Sequence, residues 1–236
     1  EINHPTWIEA MEALYKCSKT LISNTKCWSV GFTLGVSILC VSPSQLFTER
    51  WMKLLTPNID RIKTKNITER AIYALGLSCL VWVYLYRSTE TLNNTIKTLT
   101  SLLRLYLNPK KKENWLTSDF SLINPLSDSL VFIGYLYPEF LMENAMLPLL
   151  KQSFNGVNLD INNYDKLLLA VTTYRKLLIT DKKPPFPGAT AKEYLTDLNR
   201  IAIINTDPLY STHEEICLYI YKLFLLLDSN IGSEVW

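Results

Sequence analysis

Two long uncharged runs, Trp28 to Val41 and Ala71 to Tyr86, limit what this chain can become. Neither carries Asp, Glu, Lys or Arg over its 14 and 16 residues. A membrane-spanning helix needs about 20 mostly apolar residues. Both runs fall short of that and contain Ser and Gly, so no transmembrane segment is expected. A helix apolar on every side must be covered on every side. The runs therefore predict buried core helices in a layered helical stack.

Most of the chain reads at the helical period. Trp7, Met11, Leu14/Tyr15, Ser18 and Leu21/Ile22 fall at steps of three and four, and the uncharged run to Val41 follows. Ser42, Pro43 and Gln45 then read as N-cap, first position and capping-box partner of a third helix, which turns Leu46, Phe47, Trp51, Leu54 and Leu55 inward. Asn66 with Glu69 repeats that logic for a fourth helix ending near Arg87, whose guanidinium is expected on carbonyls at the helix C-terminus. Leu92, Ile96, Leu99, Leu103 and Tyr106 make one stripe of a fifth helix, opposite Asn94, Lys97, Thr98, Ser101 and Arg104.

A polar loop is expected over 108–119, with a possible sub-boundary near 108–123 in an otherwise single segment, 1–236. Asn124-Pro125 opens a sixth helix and Pro138 a seventh, which Pro148 kinks or ends. After a loop at 155–163, Tyr164, Leu167, Leu168, Val171 and Leu178 define an eighth. Lys182 to Gly188 holds three prolines and reads as a rigid connector. Ala191 to Ile201 suggests a ninth helix, and Ser211 with Glu214 caps a tenth. The fold class is thus all-α: a HEAT/armadillo-like α-solenoid of about ten helices in antiparallel pairs. The chain starts at Glu1 and stops at Trp236 without an address signal, and reads as a piece of a longer protein.

The chemistry-bearing residue types are sparse. The only histidines are His4 and His213, and His213-Glu214-Glu215-Ile216-Cys217 lacks the second histidine of a zinc-protease helix. No glycine-rich phosphate loop and no G-x-S-x-G occur. Glu214/Glu215 and Asp160/Asp165 are expected in solvent, without the apolar setting that splits carboxylate pKa values. The five cysteines, none in a C-x-x-C pair, read as free buried thiols of a reducing compartment. No enzyme, metal or cofactor is expected. A net charge of +2 gives no basic stripe for nucleic acid. The candidate partner-binding residues are Lys110, Lys111, Lys112 and Trp115 in one basic loop, and Arg61, Lys63 and Lys65 in another.

Two stretches carry a family resemblance. One runs from Glu69-Arg70-Ala71-Ile72-Tyr73-Ala74-Leu75 into Leu80-Val81-Trp82-Val83-Tyr84-Leu85-Tyr86-Arg87. The other, Asn162 to Pro187, sets Leu177-Leu178-Ile179 ahead of Pro184-Pro185-Phe186-Pro187, with Leu107-Asn108-Pro109-Lys110 and Asn124-Pro125-Leu126 between the two. Over about residues 67–190 the chain resembles the N-terminal region of the Furry family of cell-morphogenesis proteins, in its fungal branch. Trp82, Tyr84 and Arg87 match the family's pattern, whereas Tyr174-Arg175-Lys176 keeps its arginine but not the alanine that follows. The resemblance implies a non-catalytic scaffold that supports an NDR-family kinase with its Mob coactivator in polarised growth and cell separation. It also implies a cytoplasmic protein enriched at the cortex or at sites of polarised growth. A nuclear-transport or trafficking adaptor on the same fold is the alternative. In a stacked solenoid Trp82 and Tyr84 are core or near-core residues, and Trp82→Ala is expected to cost ~3–5 kcal/mol.

Overall fold

A computed structural model describes residues 4–88, 90–107, 119–155, 158–160, 163–179 and 218. They form α1 (Pro5–Ser23), α2 (Trp28–Val41), α3 (Ser44–Leu55), a 310 turn (Thr56–Lys63), α4 (Ile67–Arg87), α5 (Leu92–Tyr106) and α6 (Phe120–Leu136). There follow α7 (Pro138–Leu141), a π turn (Met142–Met146), α8 (Leu147–Ser153), β1 (Phe154–Asn155), β2 (Asn158–Leu159) and α9 (Tyr164–Ile179). Apart from that hairpin of two-residue strands, in which Phe154 pairs with Leu159 and Asn155 with Asn158, the described elements are helical. The chain divides into two compact units, Glu1–Phe132 and Ile133–Trp236.

In the first unit the contacts fix the helix directions. A Cβ on Gly31 would lie 2.7 Å from both the Ile22 nitrogen and Leu21 Cβ, and one on Gly35 would lie 3.3 Å from Ser18 Oγ. As α2 advances, α1 recedes, so the two run antiparallel. Trp51 stacks on Tyr84 with centroids 4.6 Å apart, while Tyr73 Oη donates to the Leu55 carbonyl at 3.1 Å. That makes α3 and α4 antiparallel too. Phe32 stacks on Tyr73 at 5.4 Å, and a Cβ on Gly76 would come within 3.0 Å of Val36 Cγ2, so α2 and α4 run parallel. Two antiparallel pairs thus lie side by side. Trp28, Phe32, Phe47, Trp51, Tyr73 and Tyr84 form the aromatic part of the core between them, each at most 2% exposed.

Several boundaries differ from the sequence reading, each for a local reason. The residue before a proline is pushed out of helical geometry. Ser42 is accordingly extended and ends α2, its hydroxyl donating to the Ile38 carbonyl at 2.6 Å, while Pro43 occupies the N-cap of α3. Leu46, Phe47, Trp51, Leu54 and Leu55 are all buried, as their spacing predicts. Asn66 caps α4, its Oδ1 accepting from the Thr68 and Glu69 amides. α6 begins at Phe120, not at Asn124-Pro125, because Asp119 caps it: its carboxylate accepts from Ser121 N–H at 2.8 Å. Pro125 sits inside this helix, and the bond it forgoes would end on exposed Ser121, where water can replace it.

α5 buries Thr95, Leu99, Leu102 and Leu103, but Leu92 at its start is 61% exposed. α9 buries Leu167, Leu169, Ala170 and Thr173 and exposes Tyr164, a face rotated from the expected one. Trp82 is only half-buried and stacks on exposed Tyr86 at 5.1 Å, so the full-cavity cost expected for Trp82→Ala belongs to Trp51 instead. Cys17, Cys27, Cys40 and Cys79 are free thiols, but Cys17 and Cys79 are exposed, contrary to the expectation of burial. The expected ninth and tenth helices, the 182–188 connector and His213 lie outside the described residues.

In the second unit Pro138 opens α7 as expected. Ahead of Pro148 the chain widens into the π turn, in which Leu147 N–H donates to the Met142 carbonyl, and Pro148 then falls in the first turn of α8. α9 packs on α8, and Lys166 donates to Gln152 at 2.8 Å. Burial lowers the Lys166 pKa, and neighbouring Asp160 opposes the shift.

Candidate interaction surface

The basic stretch around Arg61 is tied into the fold at one residue and open at another. Trp28 Nε1 donates to Asn58 Oδ1 at 2.7 Å, and Asn58 Nδ2 donates to the Leu54 carbonyl at 2.8 Å, which holds the 310 turn against α2. Arg61 lies 5.0 Å over the Trp28 ring and pairs with Glu69 at 2.9 Å. Arg70 Nε donates to the Thr64 carbonyl. Lys63 closes the 310 turn, and Lys65 stands exposed in the link to α4. The structure therefore brings Arg61 against the core and leaves Lys65 at the surface. Lys110, Lys111, Lys112 and Trp115 lie outside the described residues.

A second surface was not foreseen from the sequence. The two uncharged runs become α2 and α4, yet neither is covered all round. On α2, Val30 is 63% and Val41 53% exposed, with Thr33 and Ser37 exposed between them. On α4, Leu75 is 58% and Tyr86 44% exposed, with Cys79 exposed and Trp82 half-buried between them. Each set follows the three-and-four step of one helix face. Val30, Thr33, Leu34 and Ser37 of α2 join Ile72 of α4 in lining a groove of about 450 Å³. Hydroxyls at Ser29, Thr33 and Ser37, four apart on one side of α2, are the signal in the sequence that one face of the run is not core.

The electrostatics of this surface are muted. Burial, helped by neighbouring Cys79 and opposed by Arg87, pushes the Cys40 thiol up to about 11. Partial burial of the sulfur raises Cys79 as well, although the residue as a whole is exposed. A raised thiol pKa leaves little thiolate, so neither cysteine is set up as a nucleophile. On the α1 and α3 side, Arg50 pairs with Glu12 and lies 4.8 Å over the Tyr15 ring; burial raises the Tyr15 pKa, Arg50 opposes the rise and Glu12 adds to it. Among the described residues there is no group of three or more His, Cys, Asp or Glu placed to hold a metal ion, and no helix long and apolar enough to cross a membrane.

The family model described as cell morphogenesis N-terminal matches residues 1–236. The chain is 55% identical over 237 residues to the cell morphogenesis protein PAG1 of Saccharomyces cerevisiae, a match covering 100% of this chain and 10% of that protein. It is 24% identical over 210 residues to the cell polarity protein mor2 of Schizosaccharomyces pombe, covering 86% of this chain and 9% of that protein. The chain thus spans about a tenth of the length of these relatives. No solved structure matches it.

Proposed function

Since this chain belongs to the Furry family of cell-morphogenesis proteins, in its fungal branch, we propose that it is a non-catalytic segment of a HEAT/armadillo-like solenoid that scaffolds protein partners. The observation that carries the solenoid reading is the repeat offset between α2 and α4. Phe32 meets Tyr73 and Val36 meets Gly76, so positions about forty apart lie side by side on parallel helices. HEAT and armadillo repeats recur at about 40–47 residues, and each repeat is a unit that buries its apolar face only by stacking on its neighbours. About ten helices in antiparallel pairs, running through 1–236 as one segment, complete this reading.

The partners proposed are an NDR-family kinase with its Mob coactivator, acting in polarised growth and cell separation, in the cytoplasm and at the cell cortex. Lys110, Lys111, Lys112, Trp115, Arg61, Lys63 and Lys65 are the proposed contact residues; of these Arg61 also bridges to Glu69, so its replacement acts on stability as well as on binding. Affinity capture of the full-length protein tests the reading. Co-purification of the kinase and Mob, reduced when the lysines are replaced by glutamate, is the expected result. Recovery of transport cargo or vesicle coat in their place would move the protein to the adaptor class.

A further inference from the structure

The exposed faces of α2 and α4 form a strip of apolar and small uncharged residues, joined where Ile72 meets the α2 groove. Its α2 edge runs from Val30 to Val41 and its α4 edge from Ile72 to Tyr86. At a rise of 1.5 Å per residue those edges are about 16 and 21 Å long, room for a helix of about four turns. Patches of this kind on a folded protein mark contact sites, since leaving them wet forgoes the gain from burial. The strip gives a charged peptide nothing to pair with. What fits it is an amphipathic helix laying an uncharged aliphatic face along the groove, with Ser29, Thr33 and Ser37 small enough to let its backbone come close.

The source of that helix follows from chain length and from concentration. The relative PAG1, which aligns with the whole of this chain, is about ten times longer. A segment of the same polypeptide meets the strip at an effective concentration set by its linker, of order millimolar where the linker is short and flexible, whatever the protein's bulk concentration. We infer that the α2/α4 strip is covered in the full-length protein by an amphipathic helix of the same polypeptide from outside residues 1–236. The inference rests on the solenoid reading but not on the kinase.

The test places a photo-crosslinking residue at Leu75 or at Val30 of the full-length protein. Both side chains are exposed in this unit, so each substitution leaves the packing beneath intact. The expected product keeps the mass of one polypeptide and joins α4 or α2 to a peptide from outside residues 1–236. Crosslinks to a second copy, to a different protein or only within 1–236 overturn the inference, as does the absence of a crosslink at both positions. Capture of kinase and Mob, read separately, tells the two ideas apart: it persists if only the covering helix is wrong, and is lost with crosslinks intact if only the partner assignment is wrong.

Discussion

Arg87, in the last turn of α4, donates to the Ser42 carbonyl at 2.5 Å, forty-five residues away at the end of α2. Its second terminal nitrogen donates to the Cys40 carbonyl at 2.9 Å. Arginine at a helix end was expected to satisfy helix-terminal carbonyls, and it does so for the neighbouring helix. The fork of the guanidinium ties one antiparallel pair to the next.

Removal of that clamp leaves two half-buried carbonyls unpaired. Arg87→Ala is expected to lower stability by about 1–3 kcal/mol in equilibrium urea unfolding. Arg87→Lys is expected to restore only part of the loss, since an ammonium lacks the planar fork. A midpoint unchanged in both variants would show that the clamp contributes nothing.

Two tryptophans of similar sequence setting are expected to behave differently. Trp51 is 2% exposed and stacked between Phe47 and Tyr84, so Trp51→Ala is expected to cost ~3–5 kcal/mol through the cavity left behind. Trp82 is half-buried on the outer strip, and Trp82→Ala is expected to cost about 1 kcal/mol. Urea midpoints of the two variants side by side decide the order.

In a helix interior alanine is ordinarily more stable than glycine by about 1 kcal/mol. At Gly31 the sign reverses, because the new methyl would sit 2.7 Å from the α1 backbone and α1 must move. Gly31→Ala is expected to destabilise by about 1–3 kcal/mol, whereas Ser37→Ala on the exposed side of the same helix is expected to be neutral or slightly stabilising. Thermal midpoints that rise for both would mean that α1 does not pack closely on α2.

The Cys40 thiol, pushed up to about 11 from an ordinary 9.0, holds about a hundredfold less thiolate at neutral pH than an unperturbed thiol. Alkylation monitored by peptide mass is therefore expected to proceed far more slowly at Cys40 than at exposed Cys17, and to accelerate toward pH 11. Stability follows the same sign. The unfolded chain releases this proton near pH 9 and the folded one near 11, so the neutral-thiol contribution is complete below 9 and is lost as pH rises through 11. Burial raises Tyr15 and Tyr84 in the same direction, which adds to an alkaline loss of stability.

Helix type and core were readable wherever a stripe repeats at helical spacing, as at Met11, Tyr15 and Ser18 or from Leu46 to Leu55. Such a stripe reports burial directly. Uniformly apolar runs carry no such contrast: α2 and α4 were expected to be sealed, and which side stays open depends on where α1 and α3 pack. The Asp119 cap was hidden behind Asn124-Pro125, a stronger local start signal that a cap one turn earlier overrode. Arg61 looked like one more surface cation, since nothing local in the chain says that Trp28, thirty-three residues upstream, lies beneath it.

The π turn at Met142–Met146 admits one residue more than an ordinary helical turn would. Each residue of a helix advances the side-chain direction by about 100°. In an ordinary helix the loss of one residue would swing everything downstream by that angle; lost from this turn, it would leave a regular helical turn and keep Leu149 and Leu150, now buried, facing inward. The bulge thus acts as a phase adjuster, and a one-residue deletion inside it would be far milder than the same deletion within α8.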